Sequence, residues 1–134
     1  MSVKTTPQHL LLLLLYLHLS IPIFGQFQFE GINFKGQGQA LMQSLSSVDI
    51  SPDGKHIYAT SYSQNAVNIF SRDAITGNMT FVEAISNGVS KVEGLGGAYS
   101  TLVSPDGRHV YVAGSTDNAI SFFSRNDSNG KHNC

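Results

Sequence analysis

An all-β fold built from repeated four-stranded antiparallel units is what this sequence predicts, and three observations carry the prediction. A 23-residue pattern occurs twice at a fixed spacing, and each copy opens on a Ser-Pro-Asp-Gly turn. The segments between turns are short, and they are rich in β-branched and aromatic residues.

The repeat is direct. Ser51 to Asp73 recurs as Ser104 to Asn126, offset by 53 residues, with eleven of the 23 aligned positions identical. Val48–Ile50 and Thr101–Val103 supply the first strand of each unit. The turns that follow are Pro52, Asp53, Gly54 and Pro105, Asp106, Gly107; proline presets φ and glycine provides the exit. His56–Thr60 and His109–Ala113 alternate as second strands. Asn65 and Asn118 mark tight turns, because asparagine tolerates the left-handed conformation. Ala66–Phe70 and Ala119–Phe123, apolar on both faces, read as third strands inside a stack covered on each side. Thr76-Gly77 turns the chain into a fourth strand, Met79–Ile85.

Moving back by the same 53 residues aligns Gln26–Phe34 with Met79–Asn87, so that stretch reads as the fourth strand of a preceding unit. The expected organisation is therefore a leader over 1–25, a fourth strand plus linker over 26–47, a complete unit over 48–87, a linker over 88–98, and an incomplete unit over 99–134. Eight strands make two units' worth, divided between strands three and four, as when a ring of four-stranded blades closes by strand exchange.

The leader has its own chemistry. Leu10 to Leu17 holds seven leucines around Tyr16 after a short polar start, and the run weakens at His18, Ser20 and Pro22 before Phe24-Gly25. This describes a secretory signal peptide cleaved after Gly25. The alternative is an uncleaved anchor over Leu10–Phe24, which would make the protein membrane-associated instead of secreted. Asn78-Met79-Thr80 and Asn126-Asp127-Ser128 are N-glycosylation acceptor sequences that fit export. The single cysteine, Cys134, excludes an intrachain disulfide. Charged residues are 13% of the chain and the net charge is −1, with no basic run, so nucleic acid is not an expected partner.

At Ser104-Pro-Asp-Gly-Arg-His-Val-Tyr-Val-Ala113, with Asp117-Asn-Ala119, Phe123-Ser-Arg125, Val82-Glu-Ala84 and Val92-Glu-Gly-Leu-Gly-Gly-Ala98, the chain resembles the β-propeller lactonase family and related surface repeat proteins. The resemblance covers residues 28–131 and implies a ring of about seven four-stranded blades. This chain would then be a partial propeller of about two blades. The family's active site draws on several blades around a central channel, so no catalytic residue is carried over.

The residues themselves offer little chemistry. His56 and His109 recur at the same place in neighbouring units with no third ligand, so they read as exposed strand-start residues, not as a metal site. Arg72 and Arg125 read as members of cross-strand ion pairs or as outer-strand positions. Asp53 and Asp106 read as turn residues, since a calcium loop needs more carboxylates. Glu30 and Glu83 share a fourth-strand position expected to face solvent. Gly36–Gly38 and Gly94–Gly97 lack the lysine of a phosphate loop, and no Gly-x-Ser-x-Gly elbow is present. No metal or cofactor is therefore expected. Asp49 departs from the repeat: Leu102 is its partner at +53, so a carboxylate takes an apolar place on the innermost strand, where it could orient a ligand.

The expected function is a propeller repeat module for binding or scaffolding, with a ligand or protein partner that the sequence does not name. Two blades leave faces uncovered, so the function is expected to depend on further blades or on oligomerisation, as in a homo-oligomer closing the ring. The alternatives are a lactonase-like hydrolase and a non-functional fragment of a longer propeller.

Overall fold

The computed structural model describes residues 40–133 together with Phe29, Gly31 and Ile32. The leader and most of the expected preceding strand, including Glu30, lie outside the described residues. The eight strands are β1 (Leu45–Ile50), β2 (His56–Ser61), β3 (Ala66–Arg72), β4 (Met79–Ser86), β5 (Ala98–Val103), β6 (His109–Gly114), β7 (Ala119–Arg125) and β8 (His132–Asn133). They form two antiparallel sheets in the orders β1-β2-β3-β4 and β5-β6-β7-β8, here called blade 1 and blade 2. The first strand begins at Leu45, inside the stretch expected to be linker. Blade 2 ends in a two-residue fourth strand, where only three strands were expected.

The turns repeat along with the strands. Ser51 and Ser104 carbonyls each accept the N–H of the glycine three residues on, both at 2.8 Å. Gly54 and Gly107 adopt φ of 70° and 72°, a region that a side chain disfavours. Asp53 and Asp106 brace these turns from within, each accepting from a serine hydroxyl two residues back and a backbone N–H two residues on. Asn65 and Asn118 are left-handed, both at φ 50°, as their turns require. Even the register shifts recur, between Leu45 and Ser47 in β1 and between Ala98 and Ser100 in β5.

The core lies between the blades. Tyr58, Val67, Ile69 and Ile85 of blade 1 pack with Ala98, Val103, Val110 and Val112 of blade 2, and Leu95 of the connecting loop is inserted among them. Fully burying one such aliphatic side chain contributes roughly 1.5–3 kcal/mol, so this sandwich holds the blades face to face. A smaller cluster of Ala40, Ala59 and Phe70 lies on the opposite, rear face of blade 1, flanked by Met42, Ile57, Met79 and Phe81.

The third strands differ in a way that the repeat does not announce. Strand β3 is buried on both faces from Ala66 to Phe70. Its counterpart β7 alternates, with Ile120 at 74% and Phe122 at 69% exposure. The equivalent residues of blade 1, Val67 and Ile69, are each at 1%. The reason is geometric: blade 1 has a neighbour on its front face, and no described residue covers the front face of blade 2.

Candidate functional site

The inter-blade seam gathers the polar residues that the repeat duplicates. Arg125, at the end of β7, is buried, and its guanidinium reaches four acceptors. Nη2 pairs with Asp53 Oδ2 at 2.7 Å and meets His56 Nδ1 at 2.9 Å. Nε donates to the Tyr58 hydroxyl at 3.0 Å, and Nη1 to the Gly107 carbonyl at 2.9 Å. Arginine offers only donors, so His56 Nδ1 accepts and the imidazole carries its proton on Nε2. The Tyr58 hydroxyl in turn donates to the Gly130 carbonyl at 3.0 Å, binding the last turn of blade 2 to blade 1. Gly130 is needed there: a Cβ at that position would sit 2.2 Å from the His56 ring, and its φ is 73°.

The seam corrects three expectations. His56 is buried at 3% exposure, not an exposed strand start, because the edge of blade 2 closes over it. The ion pair of Arg125 joins blade to blade instead of strand to strand within one sheet. Glu83 does not face solvent freely; it is half-buried and pairs with His132 Nδ1 at 3.2 Å, where the outer strands of the two blades approach. Of the two readings of Arg72, a cross-strand ion pair or an outer-strand position, the pair is not formed among the described residues: Arg72 donates to its own turn, at Gly54 O. The turn residues Pro52, Asp53, Pro105 and Asp106 stay at the surface, and Gly107 is buried under the Arg125 guanidinium.

Burial and charge set the protonation of the latch. Burial, followed by the Arg125 charge, pushes the His56 pKa down. Burial alone would raise that of Asp53, but hydrogen bonds from Ser51, Arg125 and the Lys55 N–H outweigh it and hold the carboxyl well below the usual range. Burial raises the pKa of Tyr58, which remains a donor. Both lowered groups take up a proton more readily in the unfolded chain, so the stability that they contribute is complete above about pH 6.5 and falls in two stages below it. The first loss begins below about pH 6.5 as unfolded histidine protonates, and the second below about pH 4 with the carboxylate. Urea denaturation at pH 8, 5.5 and 3 should show both stages, and His56→Gln should remove the first.

Along the innermost strands the seam is made by side chains of β1. Ser46 Oγ donates to the Ala98 carbonyl at 2.8 Å, and Ser47 Oγ accepts from the Thr101 N–H at 3.4 Å. Asp49 accepts from the Val103 N–H at 2.7 Å and, through its other oxygen, from Ile50 N–H at 2.8 Å. The carboxylate that breaks the repeat is thus used to tie the free edge of β5 to blade 1. It is half-exposed and is the one acidic residue on β1 and β5. At the opposite end of the seam Asn65 accepts from Gly97 N–H, and Asp117 accepts from both Gly96 N–H and the Asn87 side-chain amide. Thr101 Oγ1 is the only buried side-chain polar atom among the described residues left without a partner.

The expected glycosylation positions lie in β3–β4-type turns. Asn78 is exposed, whereas Asn126 is half-buried and its amide oxygen accepts from both the N–H and the hydroxyl of Ser128. Among the described residues no three His, Cys, Asp or Glu side chains gather as metal ligands. The sequence reading missed the latch. The signal was nonetheless present, since Asp, His, Tyr and Arg of the latch are four of the eleven identities between the repeats.

Residues 27–133 match the lactonase, 7-bladed β-propeller family. Among solved structures, a protein of Bacteroides fragilis provisionally named a 6-phosphogluconolactonase shares 27% identity over 66% of this chain and 23% of its own, at a TM-score of 0.57. The periplasmic gluconolactonase of Pseudomonas aeruginosa shares 23% identity over 81% of this chain and 28% of its own, at a TM-score of 0.57. A Lactobacillus plantarum protein reaches a TM-score of 0.64 at 20% identity, covering 81% of this chain and 30% of its own. The chain therefore spans about a quarter to a third of the length of these structures. No curated protein matches it.

Proposed function

The chain belongs to the seven-bladed β-propeller lactonase family, and from that premise we propose that it serves as a propeller repeat module for binding and scaffolding whose innermost strands present Asp49 to a polar, sugar-like ligand. The observation that supports this reading is the placement of Asp49. A carboxylate replaces leucine on the innermost strand, is fixed by the Val103 and Ile50 N–H groups, and remains half-exposed. A carboxylate held by two backbone donors keeps its geometry when a hydroxyl-bearing ligand arrives, which lowers the ordering cost of binding. Ring-opening hydrolysis of a sugar lactone is the second reading. It is favoured by the 27% identity to the Bacteroides fragilis protein provisionally named a 6-phosphogluconolactonase. Hydrolysis needs an acid and a base converging on the carbonyl, and other blades would have to supply what β1 and β5 lack.

Ligand-observed NMR with glucono-δ-lactone and gluconate tests the binding reading. Both should show saturation transfer with the wild-type chain. Asp49→Asn keeps an acceptor for the Val103 N–H and should weaken binding at least tenfold while the circular dichroism is unchanged. Absence of transfer from either compound to a folded chain rejects the binding reading. Lactone opening above the spontaneous rate in a pH-stat would favour hydrolysis instead.

A further inference from the structure

We propose that the front face of blade 2, which no described residue covers, receives the rear face of blade 1 from a second copy of this chain, with Arg72 of one copy entering the cradle of Asp106, His109 and Tyr111 on the other. The inference rests on the module reading above and adds a partner and a contact to it.

The argument is a translation of the seam already present. Asp53, His56 and Tyr58 hold Arg125 across that seam. Adding 53 to the first three gives Asp106, His109 and Tyr111, and subtracting 53 from the last gives Arg72. Both halves are already prepared within one copy. Asp106 is fixed by Ser104 Oγ and the Arg108 N–H as Asp53 is by Ser51 and Lys55. Arg72 is laid over Gly54 O as Arg125 is over Gly107 O, at 3.1 Å and 2.9 Å. What Arg125 has, and Arg72 lacks among the described residues, is a neighbouring front face.

The apolar surfaces correspond in the same way. On the front of blade 2, Tyr99, Leu102, Ile120 and Phe122 are 60–74% exposed. The rear of blade 1 offers an apolar hollow of about 400 Å³ lined by Met42, Ile57, Ala59, Phe70 and Met79. Sizes are matched by compensation: Phe122 stands where blade 1 has Ile69, and Ala59 stands where blade 2 has Val112. A larger knob therefore meets a smaller floor. An exposed aromatic and aliphatic face of this kind marks an interaction surface, and this chain carries both the charge partner and the shape partner. Such a contact is head-to-tail, so each added copy leaves one face of each kind for the next.

Light scattering after size-exclusion chromatography of the whole chain, with any glycans removed, should give a mass of at least two chains. Arg72→Met and Asp106→Asn should each reduce this to one chain mass with unchanged circular dichroism. Mixed in equal amounts, the two variants retain one intact pairing, so the mass should rise to two chains and no further. A general loss of folding would produce no such rescue. The proposal is overturned by a folded wild type that stays monomeric up to its solubility limit, by variants that assemble like wild type, or by a mixture that stays monomeric. Saturation transfer from glucono-δ-lactone on the same samples separates the two ideas. Binding by a monomeric wild type overturns the copy-to-copy contact alone, and assembly without binding overturns the ligand reading alone.

Discussion

Replacing Arg125 by methionine is expected to cost about 3 kcal/mol of stability, and replacing its counterpart Arg72 by methionine less than about 1 kcal/mol, in a chain diluted to the monomer. The two arginines share a motif and a strand position but not an environment. Arg125 has a side chain only 2% exposed and serves Asp53, His56, Tyr58 and the Gly107 carbonyl together. Methionine fills part of the space and leaves the Asp53 carboxylate and the His56 nitrogen without their donor. Asp53 is 31% exposed, so water recovers some of the loss, which holds the cost to the lower end of what breaking a buried pair usually entails. Arg72 gives up one hydrogen bond to Gly54 O at a half-exposed site. Urea denaturation at pH 7 reads the difference: for an m-value of about 1.5 kcal/mol/M, Arg125→Met should lower the midpoint by roughly 2 M. Arg125→Lys should recover only part of it, since an ammonium cannot reproduce a planar fork directed at four acceptors. Equal costs at the two positions would mean that the latch is not what joins the blades.

That comparison also shows what could be read in the sequence. The 53-residue period, the Pro-Asp-Gly turns, and Asn65 and Asn118 as left-handed turn residues are all local features, set by a residue and its near neighbours. The four-stranded sheet of blade 1 and the first three strands of blade 2 followed from them, as did membership in the propeller lactonases. Burial did not follow. A repeat says which residues are equivalent, but Tyr58 at 1% and Tyr111 at 39% exposure differ because of what stands in front of them, and that belongs to the blade's neighbour. The same reasoning misplaced His56 at the surface, since its cover comes from Gly130 and Arg125, roughly seventy residues away. Asp49 was legible as an exception to the period, but its link to the Val103 N–H needed the register of two separate sheets. The latch lay between these cases. Its four polar identities were visible, yet nothing in one sequence says that identical residues in successive units contact one another across the seam.

Ile69→Ala is expected to destabilise the diluted chain by about 3 kcal/mol, and Phe122→Ala to change it by no more than about 0.5 kcal/mol, although phenylalanine is the larger loss in volume. Ile69 is sealed among Val67, Leu95 and Val110, so truncation removes its transfer energy and leaves a cavity that close-packed β-sheets cannot collapse to fill. Phe122 touches the Tyr111 ring at 6.4 Å between centroids and otherwise faces solvent, so little is lost when it goes. Thermal or urea unfolding of the two variants at one low concentration provides the contrast. Repeating the measurement at rising concentration makes the contrast diagnostic. If a second copy covers the front face of blade 2, wild type and Ile69→Ala both gain stability on concentration, by mass action. Phe122→Ala gains much less, because its missing ring is the one that would enter the hollow beneath Ala59. A side chain that costs nothing in the isolated chain and several-fold in association is then holding copies together, and the translation symmetry written in the repeat extends past the end of one molecule.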